Sequence, residues 1–222
     1  MNQNVRKTVL NAGSGGSAAG QLPPFFDRAR WSEVRLDVDP GARPDIVGSF
    51  ADMRGVIGDG RFDALYCSHA IEHLYGHEVI PALREFARVL RPSGFALLNC
   101  PDLAAIARHI LQHGDEAIAY QSAAGPIRPI DMLYGHNQSI ADGRTSMAHR
   151  TGFTAARLGR VSLAAGFAEV RVIEGKTFDL WALLLTPGAR LSDIALIFAG
   201  TPLAALTEGG APSVAAPGAT HR

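Results

Sequence analysis

The sequence predicts an α/β protein built on a doubly wound, mostly parallel sheet, and three observations carry that prediction. The stretch Thr8-Val9-Leu10-Asn11-Ala12-Gly13-Ser14-Gly15-Gly16-Ser17 empties a short apolar, β-branched run into a loop of small residues. A second strand-like run, Val34–Val38, ends among the carboxylates Asp37 and Asp39. A third, Phe95–Cys100, is apolar except for Asn99, as expected of a strand buried on both faces. Strand, glycine loop, strand, acid is the layout of a nucleotide-binding sheet: glycine permits positive φ angles and close backbone approach, and the carboxylate suits a ribose hydroxyl.

Taken in order, Val5–Asn11 reads as the first strand. Behind the glycines, Ser17–Leu22 leaves room for a helical turn or two before Pro23-Pro24 stops it, since proline lacks the donor and clashes with the preceding turn. The first crossover helix is therefore short, and Phe25, Phe26 and Trp31 are expected to cover the sheet face it leaves bare. Val34–Val38 is the second strand, Asp45–Phe50 a short third, and Phe62–Ser68 the fourth. Ile80–Leu90 carries Leu83, Phe86, Ala87 and Leu90 at helical spacing, with Arg88 and Arg91 at its end and Pro92-Ser93-Gly94 as its stop. Phe95–Cys100 is the fifth strand, and Asp102 caps a helix through Leu103, Ile106, Ala107 and Ile110.

The pattern then loosens over residues 113–152, which is long for a plain connection and points to a lid or binding insertion. Helical spacing returns at Thr154–Ala165, with Thr151 or Thr154 as N-cap and Gly166 as the stop. Glu169–Glu174 and Phe178–Leu185 predict an antiparallel terminal hairpin containing Trp181, and Leu191–Phe198 a short helix. The expectation is one domain over residues 1–208, followed by an Ala/Gly/Pro-rich disordered tail over 209–222.

The composition is that of a globular protein, 47% hydrophobic, with 21 basic and 21 acidic residues and a net charge of zero. Neutrality argues against nucleic acid or an anionic membrane as partner. No stretch approaches the ~18 uninterrupted apolar residues of a membrane helix, and Met1–Lys7 lacks the apolar core of a secretion signal. Cys67 and Cys100, each inside a strand-like run, read as buried free thiols. Together these predict a cytoplasmic protein; the oligomeric state is left open, a homodimer among the options.

Several blocks occur together in order: Leu10-Asn11-Ala12-Gly13-Ser14-Gly15, Leu36-Asp37-Val38-Asp39-Pro40, Phe62-Asp63-Ala64-Leu65-Tyr66-Cys67-Ser68-His69, Glu72-His73-Leu74, and Leu83 through Gly94 with its Arg88-Val89-Leu90-Arg91-Pro92-Ser93-Gly94 close. In these the chain resembles the class I S-adenosylmethionine-dependent methyltransferases, closest to small bacterial type 11-like members. The likeness covers about residues 8–103 and again 149–174. It implies a Rossmann-like sheet, S-adenosylmethionine as cofactor and S-adenosylhomocysteine as product. It also implies that Asn11, Gly13 and Gly15 border the methionine portion and that Asp37 accepts both ribose hydroxyls. Asp52 and Met53 would border the adenine, and Ser68 and His69 would flank the sulfonium.

The resulting expectation is methyl transfer to an oxygen or nitrogen of a small-molecule acceptor. His136 and His149, in the insertion or at its return, and His69, at the end of strand four, are the candidate catalytic residues, because imidazole can take a proton as the methyl arrives. Tyr134 joins His136 and His149 as a substrate contact. Asn11, Ser17 and Ser49 depart from the family pattern and motivate a second reading, a catalytically silent ligand- or partner-binding module. A third reading follows from Gly13, Gly15 and Ala18, which fit the Gly-x-Gly-x-x-Ala of an NAD-dependent oxidoreductase. The prolines behind the loop oppose it, because a pyrophosphate needs a well-formed helix N-terminus there. Finally, His69-Ala70-Ile71-Glu72-His73 fits the His-x-x-Glu-His pattern of one zinc peptidase group, but that pattern needs a helix through His69, which directly follows a strand. No metal is therefore expected; Glu72-His73 reads as a structural pair and His77 as a surface residue.

Overall fold

The structure, a computed structural model, describes residues 6–16, 22–122, 125–209 and 213–215. Five strands run parallel: β1 (Lys7–Ala12), β2 (Trp31–Asp37), β3 (Ile46–Val47), β4 (Phe62–Ser68) and β5 (Leu90–Pro101). After them come β8 (Glu169–Glu174) and β9 (Asp179–Leu185), with β6 (Tyr120–Ser122) and β7 (Gly125–Ile127) forming a separate small hairpin. The main sheet closes with β10 (Ser213–Ala215), giving the order β10-β8-β9-β5-β4-β1-β2-β3. Of its pairings, β9 on β5, β8 on β9 and β10 on β8 are antiparallel. This is the doubly wound sheet with an antiparallel terminal hairpin that the sequence predicts.

The chain steps outward from β1 to β2 and β3, then returns to the other side of β1 with β4. That reversal opens a crevice between the carboxyl ends of β1 and β4, where doubly wound sheets hold their ligands. Apolar side chains on both faces explain why these strands form: Val9, Leu10 and Ala12 of β1, and Phe95 through Leu98 with Cys100 of β5, are all buried. On one face α1 (Val79–Val89) and α5 (Ala155–Ala164) pack Val79, Leu83, Phe86 and Leu158 against the sheet. Thr154 caps α5, its hydroxyl accepting the Arg157 N–H. On the other face Phe26 and Trp31 meet edge to face at 5.0 Å, and Phe26 stacks on Phe95. Coverage there is completed by α6 (Leu191–Phe198) and the turn Pro202–Thr207, through Ile194, Phe198, Leu203 and Leu206.

Several predicted bounds move. The second strand starts at Trp31 because Trp31–Glu33 pair in register with Lys7–Val9, and backbone pairing here outweighs the absence of an apolar pattern. The third shrinks to two residues. The fifth begins directly after α1, where a register shift between Phe62 and Ala64 absorbs Arg91–Gly94 as a bulge. In the tail, Ser213–Ala215 pair with Arg171–Glu169 rather than standing free of the sheet: β8 offers an open edge, and pairing along it depends on backbone groups rather than composition. Val5, the turn expected over Ser17–Gln21, Ala18 and the remaining tail residues lie outside the described residues.

The insertion is ordered. After α2 (Leu103–His113), capped by Asp102, come β6 and β7, then α3 (Pro129–Tyr134), α4 (Asn137–Ala141) and the turn Thr145–Met147. A small core of Ile106, Ile127 and Met132 holds it onto α2. Buried Asp131 organises it, accepting the N–H groups of Arg128 and Asn137. Cys67 and Cys100 are free and buried, and burial pushes both thiols above their ordinary range. Among the described residues no helix is long and apolar enough to cross a membrane.

Candidate functional site

The glycine loop is fixed at the crevice by β2. Gly13 and Ser14 donate to the Leu36 carbonyl at 2.9 and 3.1 Å, and Arg35 donates to the Gly15 carbonyl. Gly13 sits at φ +72°, and a Cβ on it would lie 2.5 Å from the Ala70 Cβ, so the ends of β1 and β4 meet only because that atom is absent. Gly15, at φ +59°, donates its N–H to Asp37 Oδ2 at 2.7 Å. The other carboxylate oxygen accepts the Asp39 N–H at 2.9 Å. Asp37 is thus locked beside the loop. A carboxylate has about four acceptor positions, so both oxygens keep capacity for a diol.

Other predicted cofactor contacts fare differently. Asn11 is buried, and its amide donates to Glu33 Oε1 on β2 at 2.8 Å. Asp52 is exposed and accepts the Arg54 N–H. Met53 is a correction: its side chain is fully buried in the α1-side core and its N–H donates to Glu85, so it walls no surface. Ser68 lies at the crevice, its hydroxyl 3.4 Å from Asn99 Oδ1. His69 follows at φ +47°, its N–H on the Asn99 carbonyl and its Nδ1 3.5 Å from Glu72 Oε1. Burial works to lower the His69 imidazole, but the Glu72 carboxylate outweighs it and holds the ring above its ordinary value.

The return of the lid brings His149 to the same place. Its N–H donates to the Tyr134 carbonyl and its Nδ1 is 2.9 Å from the Met132 carbonyl, which presents Nε2 to Glu72 Oε1 at 4.0 Å. Burial holds the His149 imidazole below its ordinary value against the pull of Glu72. Burial alone would raise the Glu72 carboxyl, yet His69 and His73 keep it below its usual range. Beside His149 lies a cavity of about 340 Å³ bordered by Leu103, Ile106, Met132, Tyr134 and Thr151. Tyr134, 61% exposed, stands at its mouth.

His136 is not part of this cluster. Its Nδ1 meets Ser139 Oγ at 2.8 Å and accepts the Ser139 N–H, which makes it the cap of α4 rather than a group aimed at a ligand. Sequence reasoning missed the central position of Glu72, whose backbone carbonyl also accepts the N–H groups of Arg150 and Thr151. The His-x-x-Glu-His run was the available signal, but no spacing rule ties it to His149. Asp179 was missed as well: it accepts the Asn99 amide at 2.9 Å, supplying the partner that a buried asparagine in an apolar strand requires.

Residues 11–98 match the family model described as "Methyltransferase domain". No protein among the curated sequences matches the chain. Solved structures do, at low identity. PH0226 from Pyrococcus horikoshii OT3 is 13% identical, with 83% of this chain and 84% of that one covered and a TM-score of 0.54. A SAM-dependent methyltransferase from Archaeoglobus fulgidus is 10% identical, with 82% and 87% covered and a TM-score of 0.54. A third, among the SAM-dependent methyltransferases of Methanosarcina mazei, is 14% identical, with 82% and 92% covered and a TM-score of 0.53. At such identities the likeness establishes the fold, and the sequence match is confined to residues 11–98. With its glycine loop and Asp37 at the carboxyl ends of β1 and β2, the chain has the fold of these SAM-dependent methyltransferases and is similar, over residues 11–98, to the methyltransferase domain family.

Proposed function

We propose that the chain binds S-adenosylmethionine along the crevice edge and methylates an oxygen or nitrogen of a small-molecule acceptor held in the cavity beneath the lid. The observation that carries this reading is the lock between the glycine loop and Asp37, and the apolar-walled cavity that His149 borders supports the acceptor site. When bound, S-adenosylmethionine supplies a methyl group already activated on a sulfonium. The protein's task is then alignment, which can provide much of the acceleration of a displacement between two held reactants.

Each side chain has a part in that task. Asp37 accepts the ribose hydroxyls with the acceptor capacity that Gly15 and Asp39 leave. Gly13 and Gly15 let the backbone come close to the methionine portion, Asp52 borders the adenine, and Ser68 and His69 stand beside the reacting centre. Leu103, Ile106 and Met132 exclude water from the acceptor, while Tyr134 and His149 meet its polar end. Met53 serves by packing under this edge, Asn11 by fixing β1 to β2, and His136 by capping the lid helix. A neutral chain with a mixed apolar and polar lid suits a modest uncharged acceptor in a cytoplasmic setting.

Calorimetry with S-adenosylmethionine, S-adenosylhomocysteine and NAD tests the reading. Heat is expected with the first two and none with NAD; heat with NAD alone, or with none of the three, defeats it. Asp37→Ala removes a charged hydrogen-bond acceptor worth about 1.5–3 kcal/mol, so cofactor affinity should fall roughly 10- to 100-fold, and unchanged affinity would show the ribose assignment to be wrong. His149→Ala should slow turnover at least ~10-fold, a lower bound near the small end of polar-group effects in catalysis, while cofactor binding is unchanged.

A further inference from the structure

Glu72 presents a charge problem that methyl transfer does not solve. It is 1% exposed, and among the described residues neither carboxylate oxygen has a hydrogen-bond partner. A buried carboxylate in this state is costly unless it is paired or coordinates a metal. The chain supplies the rest of a metal site around it. One Glu72 oxygen, one ring nitrogen of His73 and one of His149 lie within 4.8 Å of one another. The two rings meet edge to face, their centroids 4.9 Å apart.

The tautomers agree with that use. His73 Nδ1 is 3.1 Å from the Ala148 carbonyl, and His149 Nδ1 is 2.9 Å from the Met132 carbonyl. A carbonyl oxygen only accepts, so each Nδ1 carries the proton, and the neutral form of each ring has its lone pair on Nε2. Backbone carbonyls orient metal-binding histidines in just this manner.

We propose that Glu72, His73 and His149 bind a divalent first-row transition metal, zinc foremost, between the turn after β4 and the return of the lid. Two imidazoles and one carboxylate are a ligand set that zinc takes while keeping a coordination position open. With bonds of ~2.1 Å a tetrahedral zinc holds its ligand atoms about 3.4 Å apart. The present triangle, within 4.8 Å, need close by at most about 1.4 Å, a side-chain adjustment on a turn and a loop. Those segments are already stitched together: Arg150 and Thr151 donate to the Glu72 carbonyl, and the Arg150 guanidinium to the His73 carbonyl. A metal here cross-links lid to sheet, and because His149 also borders the cavity, the open position stands at the cavity wall.

The site differs from the peptidase pattern that the histidine run resembles. Ile71–His73 is a single 3-10 turn and His69 precedes it in the left-handed region, so no helix aligns His69 with His73. His69 instead approaches Glu72 from outside the triangle, at 3.5 Å. A protonated His69 is the rival partner for the buried carboxylate, and experiment separates the two. The proposal does not rest on methyl transfer, with which it shares only His149.

The test titrates the EDTA-treated, desalted full chain with Zn²⁺ against a chromophoric chelator, and with Co²⁺ followed by its visible ligand-field bands. One tightly held Zn²⁺ per chain is expected, unaffected by excess Mg²⁺. Glu72→Gln, His73→Ala and His149→Ala should each weaken Zn²⁺ binding more than ~100-fold, beyond the 10- to 100-fold typical of losing a supporting partner. His149→Cys restores a metal-binding atom and should recover binding with a thiolate charge-transfer band in the Co²⁺ form. His69→Ala should bind as the parent does. Calorimetry with S-adenosylmethionine on the same samples reports folding and the cofactor site separately, so lost zinc with retained cofactor heat isolates the metal site. If the folded parent binds no zinc, if His149→Ala binds it undiminished, or if His69→Ala abolishes it, the three-residue site is overturned. Zinc binding by a parent that gives no cofactor heat supports the metal site and defeats the methyl-transfer reading alone.

Discussion

At Gly13 the absence of one carbon atom decides how two strands end. A Cβ there would sit 2.5 Å from that of Ala70, at a φ of +72° that side-chain-bearing residues rarely adopt. Gly13→Ala is therefore expected to lose about 1–3 kcal/mol of stability through backbone strain and overpacking, and to weaken cofactor binding as the ends of β1 and β4 part. Denaturant unfolding and calorimetry on one preparation check both; an unaltered midpoint would mean that the loop relaxes freely. Glu72 is the opposite case, a residue whose chemistry is set by what is missing around it. Its charge is held among three imidazoles without a hydrogen bond, and the sequence announces only two of them, His69 and His73.

At the scale of elements, charged side chains fasten the strand edges that the apolar pattern leaves unspecified. Asp63, at the start of β4, accepts the Thr8 N–H of β1 at 2.7 Å and an Arg91 N–H from the bulge of β5 at 2.5 Å. Burial works to raise its carboxyl, but the Thr8 and Arg91 hydrogen bonds outweigh it and hold it below the ordinary carboxylate value. A carboxyl lowered by folding contributes stability that is fully present above its unfolded pKa, about 4, and is lost as pH falls through the folded value. Asp63→Asn should therefore destabilise at pH 7, by about 1 kcal/mol for a partly exposed charged hydrogen bond. The gap from the parent should close as pH drops below ~4. Urea midpoints measured across that range test it, and a constant gap would reject Asp63 as the cause. Arg88 works similarly: the sequence reads it as a favourable charge at a helix end, whereas its guanidinium grips Glu85 at 2.8 and 2.7 Å and Asp59 at 2.6 Å.

For the molecule as a whole, the chain's last elements cover the sheet face on which Phe25, Phe26 and Trp31 lie. Phe198, fully buried, meets Phe25 edge to face at 5.2 Å and Phe95 at 6.1 Å, closing the layer that Phe26 and Trp31 begin. Phe198→Ala should cost about 3–5 kcal/mol. At ~2–4 °C per kcal/mol for a chain of this size, that lowers Tm by roughly 10 °C. Cofactor affinity well below the transition should not change, since this layer lies on the face opposite α1; a parallel loss of affinity would show that the two faces are coupled.

The sequence by itself determined the parts of this protein that depend on near neighbours. Phe62–Ser68 was legible to the residue and a short helix near Leu191–Phe198 in outline, because burial on a strand or helix leaves a short period in the chain. Asp102 was legible as a cap and Thr154 as one of two candidates with Thr151, because a cap is a contact between residues two or three apart. The loop beside Asp37 was legible from its layout, and the blocks around it carried the likeness to methyltransferase domains that the match over residues 11–98 bears out. Tertiary structure alone decided that His136 turns back to Ser139, that Met53 faces inward, and that a tail segment becomes an edge strand. It alone brought His149 against Glu72 and His73. Those outcomes depend on which carbonyls the lid's return finds across the fold, and neither periodicity nor spacing records a contact between segments that meet only once the sheet order is set.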